Sequence, residues 1–399
     1  MTEIALDPPR AATPSHPVRT ALGATATTIA SVLPVFLVGG LAVQMGAELH
    51  FDPAGLGLAV SVYFGVSALA SLPTGALVER YGPAWVARCA VLLAAASMLA
   101  IAVLAHSYAA LVALLAVGAA ANAAGQLASN TALARHVPAG RQGLSFGFKQ
   151  AAIPISTLLA GAAVPAVALT AGWRWAFVAA AGAALAALLV VPSDGRGSRR
   201  ADGADGERAT LALVVIGIAA TLAAGAANAL GTFLVDSAAA RGLSPGLAGL
   251  TLTFGSAICA LARVLSGWLA DRRSGGHVAT IAGMLVVGAA GLGLLALTGP
   301  APLVAGVTLG FGLGWAWPGL MTFAVVRLHP QAPAAATSIT QTGVYAGGCA
   351  GPLALGAVAG HASYPAMWCS AAVAMVLAAG CMLAGRRMLL RHSRVTRAR

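Results

Sequence analysis

The chain has 399 residues, of which 59% are hydrophobic and only 9% charged, and its formal net charge is +12. Those proportions exclude an ordinary soluble domain. Apolar runs long enough to cross a bilayer, about 20 residues as a helix, recur along the whole length. The positive charge does not mark a nucleic-acid binder, because the basic residues sit in short breaks between apolar runs and in the C-terminal tail, not on one soluble face.

In chain order, residues 1–20 are polar and Pro-rich, with no cleavable signal peptide, and are expected to form a flexible cytoplasmic N-terminus. Twelve spans follow, at 23–46, 54–77, 84–105, 109–133, 143–169, 174–192, 211–235, 246–269, 277–298, 301–326, 336–360 and 365–385. The expected fold class is an all-α polytopic membrane protein of two six-helix bundles, 21–192 and 211–386. They are joined by a Gly- and charge-rich cytoplasmic linker at 193–210, "SDGRGSRRADGADGERAT". A basic cytoplasmic tail, 387–399, ends the chain. Assigning alternate breaks to opposite sides places 19 of the 23 basic residues on one side, together with both termini. The positive-inside rule makes that side cytoplasmic in a cell membrane. The five cysteines lie in or beside apolar runs without metal-ligand spacing and read as small buried side chains. Trp173 and Trp175, in "GWRWAF", read as external interface anchors.

A charged turn occurs twice. Gly75, Glu79, Arg80 and Gly82 form the first copy, between the second and third spans. Gly267, Asp271 and Arg272 form the second, 192 residues on, between the eighth and ninth. The same offset relates Pro53, Gly57 and Leu58 to Pro245, Gly249 and Leu250, and Arg135 and Pro138 to Arg327 and Pro330. One offset across three stretches makes the halves structural duplicates, related by an axis along the membrane normal.

Twelve spans, a six-plus-six repeat, a central linker and the G-x-x-x-[D/E]-R-x-G turn resemble the major facilitator superfamily, over about residues 20–386. Glu79 stands where that family usually has Asp, and Ser274 where the second copy would have its final Gly. The resemblance implies a conformational latch that holds the cytoplasmic side closed. Each carboxylate would meet the N-terminal dipole of a helix in the other half: Glu79 near Thr337 and Ser338, Asp271 near Ser145. Gly75 and Gly267 would let the neighbouring helices approach closely.

Ionisable residues inside spans are costly and mark functional sites. Here they are Lys149, the only lysine, in the fifth span, and Arg263 in the eighth. The eleven acids lie in loops, tails or helix ends, with Glu48, Asp52 and Asp236 external. Two cations without a carboxylate favour an anion. Asn122, Gln126 and Asn130 recur every four residues and share one helical face of the fourth span. Trp315 in the tenth span, and Gln341 and Tyr345 in the eleventh, complete the candidate solute site. Gln341 is the counterpart of Lys149 at the same offset. The position of Arg263 resembles an anion-binding arginine of the family's nitrate/nitrite branch. Its second-span partner is replaced by Ser71, which leaves a small organic anion and nitrate both open.

The expected function is a secondary transporter working by alternating access on a small anionic or polar solute, with import preferred. The alternative is a multidrug or metabolite efflux antiporter. No H-E-x-x-H and no Ser/His/Asp cluster within a span suggests an enzyme. A P-loop, which needs Gly-Lys-Ser/Thr, is excluded by the single lysine in "GFKQ". The expected partners are a small-molecule solute, with or without a coupling ion, and the lipid bilayer. No cofactor, metal or nucleic acid is expected, and the chain is expected to be a monomer.

Overall fold

The computed structural model describes residues 17–137, 142–191, 210–273, 275–328 and 333–398. Among them there is no strand. The helices are α1 (Pro17–Gly40), α2 (Ala42–Leu49), α3 (Pro53–Tyr81), α4 (Pro83–Leu104), α5 (Tyr108–His136), α6 (Gln142–Ala163) and α7 (Trp173–Ala187) in the first half. The second half has α8 (Thr210–Ala240), α9 (Pro245–Arg272), α10 (His277–Leu294), α11 (Pro300–Leu309), α12 (Trp317–Leu328), α13 (Pro333–His361) and α14 (Tyr364–Ala398). Among the described residues, eleven helical segments are long and apolar enough to cross a membrane, and the shorter apolar α7 is a twelfth. The protein is thus a polytopic all-α membrane protein. Two spans carry π turns. Val164–Ala168 prolongs α6, and Gly310–Gly314 links α11 towards α12.

The sequence sets the helix ends by local chemistry. The side chain of Asp52 accepts from Gly55 N at 2.8 Å, and Pro53 follows at the first helical position. At the same place in the repeat, Ser244 accepts from Leu247 N at 3.5 Å, followed by Pro245. The duplicated caps show the repeat at atomic detail. Gly82 closes α3 at φ 87°, a left-handed conformation that a β-carbon disfavours, and its N–H donates to Val78 O at 3.0 Å.

The halves meet along two helix pairs. On one, α6 crosses α9, and Thr157 Oγ1 lies 2.6 Å from Ser256 Oγ. On the other, α3 crosses α13, and Ser61 Oγ donates to Cys349 O at 2.6 Å. The helices approach closely because small residues line both seams. In α13 the stretch "GGCAGPLALG", residues 347–356, brings Pro352 and Gly356 against Gly57 of α3 at the seam, while Gly347 and Gly351 pack on α8 of the same half.

One expectation is corrected. Trp173 is not an interface anchor. It is 4% exposed and donates from Nε1 to Glu48 at 2.6 Å, because an indole N–H in an apolar setting needs a partner. Trp175 remains 59% exposed. Asp236 lies near the end of α8, as expected of the acids, and accepts from the Tyr364 hydroxyl. Beyond the last span, α14 runs on to Ala398 through the basic residues of the tail. Residues 1–16 and 192–209, which hold all of the linker except Thr210, lie outside the described residues.

Candidate functional site

A cavity of about 80 Å³ lies between the bundles, with walls from α1, α3, α5 and α6 on one side and α8, α9, α12 and α13 on the other. The structure brings Lys149, Arg263, Asn122, Gln126, Asn130, Gln341, Tyr345 and Trp315 together around it. The fourth-span amides do share one face, as a spacing of four dictates. Asn122 is held by donating from Nδ2 to Ser67 Oγ at 3.1 Å. The Tyr345 hydroxyl and the Gln341 side chain are hydrogen-bonded to each other.

Both cations are interior groups. Lys149 is 1% exposed and Arg263 2%, so neither reaches the membrane surface. Nor does Arg263 pair with Asp271. Its Nε and Nη2 donate to Trp315 O at 3.1 and 2.7 Å, and its Nη1 donates to Gln150 O at 2.6 Å.

Both carbonyls are available for a sequence reason. In an α-helix the carbonyl of Gln150 would accept from the N–H of residue 154, but that residue is proline, which has none. The helix of the tenth span breaks at Trp315, between the Gly-rich π turn and α12, and this turns the Trp315 carbonyl out of the ladder. Arg263 thus supplies the donor missing at Pro154 in α6 of the first half and caps the break at Trp315 in the second. A guanidinium has five N–H donors; three go to these carbonyls, and the Cys259 side chain, one turn earlier on α9, also contacts the guanidinium.

Lys149 is less well compensated. Its ammonium donates to Gln126 Oε1, and no other hydrogen bond from it is present among the described residues. A buried ammonium with a single neutral acceptor carries a desolvation penalty of several kcal/mol that an anion would offset. Among the described residues, no carboxylate lines the cavity. Asn122 Oδ1 and Trp317 Nε1, in two further lining residues, have no partner. Each such group costs about 1–3 kcal/mol if left unpaired.

Phe36 and Phe311 meet the Trp315 ring edge-on at 5.8 and 5.6 Å, and Arg263 sits 5.8 Å from the same ring's centroid. The aromatic cluster fixes the wall on which the guanidinium rests.

Sequence reasoning missed Gln150, Trp317, Asn228 and Thr322, all of which line the cavity. The repeat carries a signal for two of them. At the offset of 192, Asn130 pairs with Thr322, and Phe36 pairs with Asn228. Gln150 contributes through its backbone, which side-chain chemistry does not reveal. Trp317 sits in a uniformly apolar run.

The charged turns are unequal. Asp271 accepts from Gly143 N at 3.2 Å and Leu144 N at 2.9 Å, the first amides of α6 in the other half. A β-carbon on Gly267 would lie 2.6 Å from Gly143 O and 3.2 Å from Gly147 Cα, so only glycine permits this approach. Arg272 lies over the Trp268 ring at 3.7 Å. In the first copy, Glu79 is exposed, with no hydrogen bond or ion pair to another described residue. The side chains of Thr337 and Ser338 lie outside the described residues. Arg80 sits over the Tyr81 ring at 5.3 Å. The close approach expected at Gly75 is absent: a β-carbon there would meet only Leu127 Cδ2, at an ordinary 3.9 Å.

Two six-helix bundles meeting around a buried polar cavity define a membrane transporter. The sequence profile of the Major Facilitator Superfamily matches residues 23–352 and 216–393, and the chain belongs to that superfamily. Among solved structures it is similar to a bacterial homolog of the human lysosomal transporter Spinster, in an inward-facing and occupied conformation. The TM-score is 0.70 at 15% identity, over 95% of this chain and 98% of that one. A comparison with curated protein sequences finds no match.

Proposed function

We propose that this protein is a secondary transporter that binds a small anion, organic or inorganic, between its bundles and moves it by alternating access. The supporting observation is the pair of buried cations, Lys149 and Arg263, facing one cavity that no carboxylate lines. Preorganised donors in a water-poor site favour negative charge and repel cations.

The Nη–H groups of Arg263 that are not given to the carbonyls and the spare ammonium hydrogens of Lys149 are the anion's donors in this reading. Asn122, Gln126, Asn130, Gln341, Tyr345 and Trp315 shape the remainder of the site. The bond from Arg263 to Gln150 O joins the two halves. An anion that draws the guanidinium away from that carbonyl removes one tie across the α6–α9 seam. Solute binding and bundle rocking are then coupled through one side chain. Asp271, capping α6 from α9, is the latch on the basic side. Both termini face the cytoplasm in this reading, by the distribution of Arg.

A thermal-shift screen of the purified protein tests it, with small carboxylates, nitrate and hydrophobic cations as separate arms. Ligands that bind the folded state raise its melting temperature by mass action. The expected result is stabilisation by one anion class, lost in both Lys149→Ala and Arg263→Ala. Stabilisation by hydrophobic cations that neither substitution alters would replace this reading with multidrug efflux.

A further inference from the structure

A second cavity, of about 450 Å³, opens at the end of the second half that carries the basic turns, where α10, α12 and α14 meet. Arg327 from the last turn of α12 and Arg386 from α14 line it, with His277 at the start of α10. No acidic residue lines it, and neither arginine makes an ion pair among the described residues. Arg327 is steadied by the Phe323 ring, 5.1 Å from its centroid.

The start of α10 adds donors. Its N-cap is Gly276, at φ 81°, which has no side chain to cap the first turn. The first amides of this 18-residue helix therefore point outward beside the arginines. A second feature points independently to a ligand. His277 is 8% exposed, its ring meets Phe323 edge-on at 5.4 Å, and its Nε2 has no partner among the described residues. In the tautomer protonated at Nδ1, Nε2 is an acceptor open to a hydroxyl. The remaining wall is apolar. Leu328 and Leu390 are 48% and 46% exposed beside the charges.

We propose that this cavity is a phosphate-group site, filled by the headgroup of an anionic phospholipid from the leaflet facing the basic end. Arg327, Arg386 and the α10 amides take the phosphate oxygens. His277 Nε2 takes a headgroup hydroxyl. The leucines meet the upper acyl chain. A hydroxyl-bearing, net-negative headgroup such as phosphatidylglycerol fits all three features. A phosphatidylcholine headgroup has no hydroxyl and brings its own cation to the arginines. The site lies apart from the central cavity and does not depend on which solute that cavity carries.

Native mass spectrometry of the full-length protein in detergent tests the assignment. The probes are phosphatidylglycerol, phosphatidylcholine and inorganic phosphate, each with wild type, Arg327→Gln/Arg386→Gln, His277→Phe and Arg387→Gln. Arg387 neighbours the cavity without lining it and controls for charge alone. The expected result is a retained phosphatidylglycerol in wild type and Arg387→Gln. Its retention falls at least tenfold in the double arginine variant and severalfold in His277→Phe, with phosphatidylcholine retained weakly and equally by all four. Equal retention of the two lipids by wild type, or unchanged phosphatidylglycerol retention in the double variant, would overturn the site. Retention of inorganic phosphate that the double variant abolishes, without lipid selectivity, would overturn the lipid and assign a soluble phosphate. Melting temperatures without added lipid identify any variant that has merely lost its fold, and single Arg386→Gln then carries the test.

Discussion

Arg263 is held by three hydrogen bonds to carbonyls that come from different helices and different directions. A flexible ammonium cannot reproduce that planar fork. Arg263→Lys is therefore expected to lose anion binding nearly as fully as Arg263→Ala, by tenfold or more in the ligand concentration that raises the melting temperature. Full rescue by lysine would show that charge alone matters. Lys149 has no such frame, so Lys149→Arg is expected to keep part of the binding that Lys149→Ala loses. On the opposite face of the protein, Glu48 is held below the usual carboxylate range by the Trp173 indole N–H first, and then by Arg174. A lowered folded pKa contributes stability above the ordinary carboxylate range, and that stability is lost as pH falls through the lowered value. Glu48→Gln is expected to melt lower than wild type near neutrality, with the gap closing in acid; a gap independent of pH would remove the ionised carboxylate from that account. At this scale the sequence was informative where a polar side chain stood alone in an apolar run, as with Lys149, Arg263 and the three amides of α5. It was silent on Gln150, whose role is played by a backbone carbonyl, and misleading on Trp173, whose partner lies 125 residues away.

Among elements, the seam between α6 and α9 joins the site to the bundles. Pro154 leaves the Gln150 carbonyl without a helical donor, and Arg263 supplies one from the other half. Pro154→Ala returns an N–H at that position and frees the guanidinium. The expected effect is tighter anion binding by about fivefold, the equivalent of one hydrogen bond of ~1 kcal/mol, together with weaker α6–α9 contact in paired-label distance measurements. Unchanged affinity and distances would show that the Gln150 bond is not in competition with the anion. Farther along the seam, Gly267→Val would push against Gly143 and draw Asp271 off the α6 amides. Overpacking of that kind costs about 1–3 kcal/mol, and Asp271→Asn alone costs about 0.3–1 kcal/mol of helix-dipole interaction. Melting temperatures should rank wild type above Asp271→Asn and that above Gly267→Val. The spans themselves were legible, since uninterrupted apolar length identifies a membrane helix whatever it packs against. Their kinks and faces were not. Helices apolar on every side give no amphipathic signal, so the π turns and the break at Trp315 emerge only from the packed structure.

For the whole molecule, duplication explains why one offset aligns caps, turns and cavity walls across the halves, and why the site has nevertheless become asymmetric. Lys149 faces Gln341 through the pseudo-twofold, and Arg263 has Ser71 as its counterpart. The duplicate turns have diverged likewise, with Asp271 engaged on α6 and Glu79 exposed. One side of the cavity is thus cationic and the other neutral, which suits a solute that is charged at one end. The measurement that tests this account most directly is counterflow in proteoliposomes without ATP. Vesicles are loaded with an unlabelled small carboxylate or nitrate, and entry of the labelled anion is followed. The expected result is transient accumulation of one anion class by wild type, and none by Arg263→Ala at unchanged reconstitution. Accumulation of cations, or of anions to the same extent with Arg263→Ala, would contradict the assignment of the cavity as an anion site.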